Sequence, residues 1–142
     1  MAAFSNYLEV ALLNATLRGV AFVPPGSLYL ALFINDPTDA GTGTELNANS
    51  YPGYVRQQIN AAGAGFAAPA TQVDGSTQSA SAVSVDFPAA TADWPQAVSH
   101  FGLFDAAVGG NLLYHGAVTP ARTLIAGDNI RFPAGSLRIR LD

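Results

Sequence analysis

The stretch SHFGLFDAAVGGNLLYHGAV, residues 99–118, decides between two readings of the chain. It holds a serine, two histidines and an aspartate, the side chains of a hydrolase or a metal site. It also holds two apolar runs joined through Gly109-Gly110, with Asp105 and Asn111 on either side, which is a strong hairpin signal. The hairpin is the better reading. Its expected register sets Gly102 opposite Tyr114 and Phe101 opposite His115, so that His100 and His115 point to opposite faces. Histidines so placed cannot share a metal, and two of them without a third ligand make a weak site. A slip that sets His100 opposite His115 is the alternative register. Ser99 and His100 are neighbours on a strand and face opposite sides, which denies the serine an adjacent base. No G-x-S-x-G elbow occurs in the chain.

Outward from the hairpin, strand signals continue in both directions. Leu28 to Ile34 (LYLALFI) is a continuous apolar run of strand length. Tyr54 to Ile59 is a second candidate. Ala82 to Phe87 alternates, placing Val83, Val85 and Phe87 on one face. The hairpin strands run from Gln96 to Asp105 and from Asn111 to Val118. Asn129 to Phe132 is short. Ser136 to Leu141 alternates, with Leu137, Ile139 and Leu141 on one side and Arg138 and Arg140 on the other. About seven strands punctuated by Gly, Pro, Asp and Asn argue for a mainly β chain. The expected fold is a β-sandwich or jelly-roll-like pair of antiparallel sheets. Two connections, 35–52 and 60–78, are too long for passive turns and read as binding or poorly ordered elements.

Only the N-terminal segment reads as helix. Ser5 or Asn6 can cap it and Gly19 can end it, giving a helix over 5–18 within an N-terminal unit of 1–19. Pro24-Pro25-Gly26 breaks the chain before the β-region of 27–142. At 100° per residue, Leu8, Ala11, Leu12 and Ala15 form one apolar stripe. Val10, Leu13 and Leu17 form a second on the opposite side. A surface helix needs one stripe. The second predicts contact with a neighbouring subunit or with a loop of the same chain. Arg138 and Arg140, with Arg131 one strand earlier, form a ladder that either faces water or pairs with acids of a neighbour. Val10, Leu13, Leu17, Arg138 and Arg140 are therefore the candidate interface residues.

The 142 residues suit a single domain. Apolar residues make up 49% and charged residues 11%, under half the usual ~25%. That deficit suits a surface that meets other protein. The net charge is −4, from ten acids and six arginines with no lysine. There is no basic footprint for nucleic acid. Schiff-base and P-loop lysine chemistry are excluded, and the absence of cysteine excludes thiolate sites and disulfides. The N-terminus lacks the basic region of a signal peptide, and no apolar run is long enough for a membrane helix.

The remaining motifs are weak. Gly63-Ala64-Gly65-Phe66-Ala67-Ala68 has the G-x-G-x-x-A form, with Asp86 further on, but Pro69 stands where a helix would have to open. Asp36, Asp39 and Glu45 share a glycine-rich loop and offer oxygen ligands for calcium. Asp36-Pro37-Thr38-Asp39 reads better as a turn held by aspartate side chains. Trp94, Tyr51, Tyr54 and Phe66 are the aromatics that would stack on sugar rings in a carbohydrate-binding module. No catalytic, cofactor or metal site emerges.

Five blocks, in order, carry a resemblance: NYLEVALLNATLRG, LYLALFINDPTDAGTGTE, YVRQ, HFGLFDAAVGGNLLYHGAVTP and GDNIRFPAGSLRIRLD. Together they resemble a family of small bacteriophage virion proteins commonly labelled tail-fibre or tail proteins. The most specific pieces are Phe101 to Asp105 followed by Gly110 to Leu113, and Gly127-Asp128 onward. Residues 60–80 match least. The resemblance implies a structural, non-enzymatic protein of the phage particle, assembled in the host cytoplasm. Expected partners are further copies of the chain, as a trimer or ring, and other virion proteins. A tail or fibre part is the leading placement and a head decoration (cement) protein the alternative; a receptor- or carbohydrate-binding module is a further alternative, suggested by sandwich loops and the aromatics above.

Overall fold

A computed structural model describes residues 2–60 and 64–141. Met1, Asp142 and 61–63 lie outside the described residues, and with them Gly63 of the G-x-G-x-x-A run. The chain is mainly β, with antiparallel sheets and one helix at its N-terminus among the described residues. In chain order the elements are β1 (Ala3–Phe4), α1 (Asn6–Arg18), β2 (Ser27–Phe33), β3 (Gln57–Asn60), β4 (Ala70–Thr71), β5 (Thr77–Ala80), β6 (Val85–Asp86), β7 (Val98–Phe104), β8 (Leu112–Arg122), β9 (Arg131–Phe132) and β10 (Arg138–Leu141).

Five strands pair in the order β1-β8-β7-β2-β3, three as β10-β5-β4, and two as β6-β9. The main core lies between the large sheet and the small ones. Leu30 and Leu32 of β2 and Phe101 and Leu103 of β7 meet Val85, Phe87, Ile130, Leu137 and Ile139 there. A second cluster, Ala31, Phe33, Phe104 and Leu112, lies apart from this core. Successive residues of β2 thus enter different apolar clusters, which explains why it reads as one continuous apolar run rather than an alternating one. Gly102 sits where a β-carbon would come within 2.9 Å of Leu112 Cδ1 and 3.0 Å of Phe33 Cε2.

Several sequence expectations shift. Strands β1, β4 and β5 are additional to the expected set. The 60–78 connection contains β4 and the start of β5, turned by a Gln72–Gly75 hydrogen bond. Only two residues hold strand pairing against the whole of 82–87, and Val83 is exposed rather than aligned with buried Val85 and Phe87. Arg131 belongs to β9, which pairs with β6 and not with β10, so the expected three-arginine ladder does not exist.

The hairpin register also departs from expectation. Next to the turn Phe104 pairs with Leu112, but the following pairs are Leu103 with Tyr114, Gly102 with His115 and His100 with Ala117. A β-bulge absorbs Leu113 as an extra residue. The one-residue shift brings His100 and His115 to the same face, against the expected opposition.

α1 forms as expected. Ser5 caps it, accepting the Leu8 N–H at 3.2 Å while donating its hydroxyl to the Leu112 carbonyl. Gly19 ends it at φ 67°, its N–H bonding the Asn14 carbonyl. Leu8 is buried and Ala11, Leu12 and Ala15 are half-buried on the side toward the rest of the chain, where α1 lies against β8.

Candidate interaction surface and polar clusters

The 35–46 segment is built as a structured loop. The Asp36 carboxylate accepts the Thr38 N–H at 2.9 Å, the turn that the sequence indicates. The Thr42 and Gly43 N–H groups both bond the Pro37 carbonyl. A β-carbon on Gly43 would lie 2.5 Å from the Pro37 Cα, so the loop closes only with glycine there. The returning arm lies beside β2, with Leu46 N–H on the Leu32 carbonyl.

This loop brings its acids to two different side chains, His115 and Arg56. His115 projects from β8 with a side chain only 8% exposed. Its Nδ1 is 3.2 Å from Asp36 Oδ1 and its Nε2 is 2.9 Å from Asp39 Oδ1. The Thr38 N–H holds the Asp36 carboxyl below the usual carboxylate range; slight burial opposes this, and the charges of His115 and His100 add to it. Glu45 instead forms a bidentate pair with Arg56, at 2.8 and 2.7 Å. The Arg56 guanidinium lies 3.8 Å over the Phe104 ring and donates to the Ala106 and Gly109 carbonyls. Burial works against the Arg56 charge, but hydrogen bonding and attraction to Glu45 outweigh it and hold the guanidinium more firmly protonated. Tyr54 donates to Glu45 at 2.8 Å and accepts the Leu32 N–H at 3.2 Å. Burial, and next the Glu45 charge, push its phenol far above the ordinary range. Asp36, Asp39 and Glu45 therefore do not converge on a calcium position. His115 has one aspartate on each ring nitrogen, an arrangement that locks a loop to a strand.

Ser99 and His100 do touch, contrary to strict alternation: Ser99 Oγ is 2.9 Å from His100 Nδ1. The strand register jumps between Val98 and His100, and the backbone there departs from the regular pleat. The Asp36 carboxylate is engaged by the Thr38 N–H and by His115. The aromatics proposed for sugar stacking are mostly interior. Trp94, Tyr51 and Tyr54 are 3%, 4% and 7% exposed, and Tyr51 meets Trp94 edge to face.

The second stripe of α1 is open. Val10 and Leu13 are each 58% exposed and Leu17 is 76% exposed. After the cap, residues 20–23 turn back along the helix, with Val20 N–H on the Asn14 carbonyl. Val20 and Val23 are exposed too, as is Tyr7 at the helix start. Tyr7, Val10, Val20, Phe22 and Val23 line a shallow apolar groove of about 570 Å³ beside the helix. The sequence analysis missed Tyr7, Val20 and Val23 because Gly19 ends the helical period, and only the turn-back brings the valines beside the stripe. Arg140 is paired with Asp74, and Arg131 with Asp86 at 3.3 Å, so both find acids of their own chain. Arg138 is exposed, and its Nε donates to the Gly135 carbonyl.

Among the described residues no helix is long and apolar enough to cross a membrane. No curated protein matches the chain. A protein family does, over residues 3–140, nearly the whole length, and it is described as podophage GP4 fiber I protein gp80. The β-rich, charge-poor chain with an open apolar helix face belongs to this family of phage fibre proteins.

Proposed function

We propose that this protein is a non-enzymatic structural subunit of the phage fibre apparatus, assembled in the host cytoplasm and acting through protein–protein packing. Its partners are further copies of itself, as a trimer or ring, and other virion proteins. The exposed stripe Val10, Leu13 and Leu17 carries this reading. A helix already packed on its Leu8 side has no need of a second apolar face unless another protein covers it. The polar clusters support the same reading, because His115, Arg56 and Tyr54 are each spent on holding loops and strands in place. Repeated copies with modest contacts hold together by avidity.

The test is to locate and count the chain in purified particles, by gold-labelled antibody and by quantifying its band. Tail-fibre labelling with a copy number on the order of tens or fewer is expected. Labelling over the head at a copy number on the order of hundreds would make it a decoration protein instead.

A further inference from the structure

The surroundings of His115 fix the number of its N–H groups. Its side chain is 8% exposed, with Asp36 Oδ1 3.2 Å from Nδ1 and Asp39 Oδ1 2.9 Å from Nε2. An ionised carboxylate only accepts hydrogen bonds, and a neutral imidazole has one N–H to donate. Two carboxylates on two ring nitrogens therefore call for both N–H groups, which is the imidazolium. His100 of β7 lies on the same face of the sheet, and its charge acts on Asp36 as well. β1 sets Ala3 opposite His115. α1 brings a peptide group rather than a charge: the Asn6 N–H bonds the Asp39 carbonyl at 2.8 Å. Tyr7 and Glu9, the titratable side chains of the first turn of α1, are exposed. Tyr114, the neighbour of His115 on β8, packs on Phe4.

The loop that carries the two aspartates is strained and has room to move. Thr38, between them, has φ 58°, and among the described residues it is the one non-glycine residue with positive φ. A β-branched side chain is disfavoured there, so the conformation persists only while its surroundings hold it. Asp39, Ala40 and Gly41 line a cavity of about 350 Å³ together with Asn6 and Leu112. The Asp36 and Asp39 side chains are 55% and 54% exposed, so each can turn to water, whereas the buried ring cannot. We propose that the proton on His115 is a latch: the 36–43 loop is closed on β8 and α1 while the imidazolium is present, and opens when that proton is lost. With a neutral ring, one carboxylate faces a nitrogen lone pair, and the two aspartates repel each other with no cation between them. Closing takes up one proton, so closure is favoured toward acid and is lost as pH rises from about 5 to about 9. The loss of the Asp36 charge in strong acid is a separate event at the other end of the scale. Opening breaks the Asn6–Asp39 bond and frees the start of the helix that carries Val10, Leu13 and Leu17. The latch goes beyond the packing role above and does not depend on it.

Backbone amide exchange on the full-length chain, corrected for its intrinsic pH dependence, reads the latch at Asn6. Protection of the Asn6 N–H should be high near pH ~5 and then fall, by up to about tenfold per pH unit for a one-proton event, toward pH ~9. The amides of β2 and β7 should keep their protection throughout. Nitrogen-15 NMR of the His115 side chain should show both ring nitrogens protonated wherever Asn6 is protected. His115→Gln, which carries no charge, should give low protection at Asn6 that does not vary with pH. If that variant disturbs the fold, Asp39→Asn decides. Its amide can accept from an N–H or donate to a bare nitrogen, so Asn6 should stay protected into the alkaline range. His100→Asn should keep the pH response of the parent. A single protonated ring nitrogen in the closed loop would overturn the proposal. So would protection at Asn6 that stays flat in the parent, an Asp39→Asn chain that opens as the parent does, or a response that disappears with His100→Asn. The fibre assignment stands through all of these outcomes, since it depends on location in the particle.

Discussion

Tyr54, Glu45 and Arg56 show how few polar side chains hold the loops on the sandwich. The Tyr54 hydroxyl is the partner of the Leu32 N–H, on a residue that is wholly buried. Replacing Tyr54 with Phe keeps the ring stacked on Phe87 but leaves that N–H with no acceptor. The cost of an unsatisfied buried donor is about 1–3 kcal/mol. Urea unfolding of Tyr54→Phe should therefore show a lower midpoint at unchanged slope. Asp36 acts through charge. Its folded pKa lies below the ordinary 3.8, so its contribution to stability is present above that value and is lost as pH falls through the folded pKa. Asp36→Asn should be less stable than the parent near neutral pH, and the difference should close in the window below about pH 4. Thermal melts of both proteins across that range check it. A gap that persists undiminished into acid would remove the charge from the explanation.

At the scale of elements, α1 depends on one buried serine. Ser5 is 1% exposed and joins the first turn of the helix to β8 through Leu8 and Leu112. Ser5→Ala loses the cap and strands the Leu112 carbonyl, for a total of about 1–2 kcal/mol. Hydrogen exchange should locate the loosening in the first turn of α1, with β2 and β7 keeping their protection. The hairpin makes a related point. A single bulge at Leu113 sets which face carries His115, and only that face meets Asp36 and Asp39. The lock between loop and sheet is therefore a consequence of register.

Over the whole molecule, two sets of leucines are separated by what they meet. Leu103 is fully buried between the sheets, while Leu17 meets solvent. Leu103→Ala should cost about 2–5 kcal/mol by leaving a cavity. Leu17→Ser should change stability by less than about 0.5 kcal/mol. The measurement that separates fold from assembly is a pair of readings on each variant, melting temperature and oligomer mass. Leu103→Ala should move the first strongly, and Leu17→Ser should move only the second. If Leu17→Ser melted as low as Leu103→Ala, the exposed stripe would belong to the fold and not to assembly.

The β-rich class, the single helix and its caps, and the strands β2, β7, β8 and β10 were legible because they rest on local rules: alternation, run length, and the placement of Ser5 and Gly19. The two opposed stripes of α1 were legible for the same reason, since helical period alone separates Leu8 from Leu13. Tertiary structure decided the rest. Strands β4 and β5 are short and carry no apolar alternation, and only their pairing with each other, and of β5 with β10, makes them strands. The face of His115 turned on one extra residue in a bulge, which no side-chain pattern marks. The burial of Tyr54 and Trp94, and the pairing of Arg140 with Asp74, join residues far apart in the chain. Local sequence fixes a residue's conformation, but its neighbours across the core are set only when the sheets close.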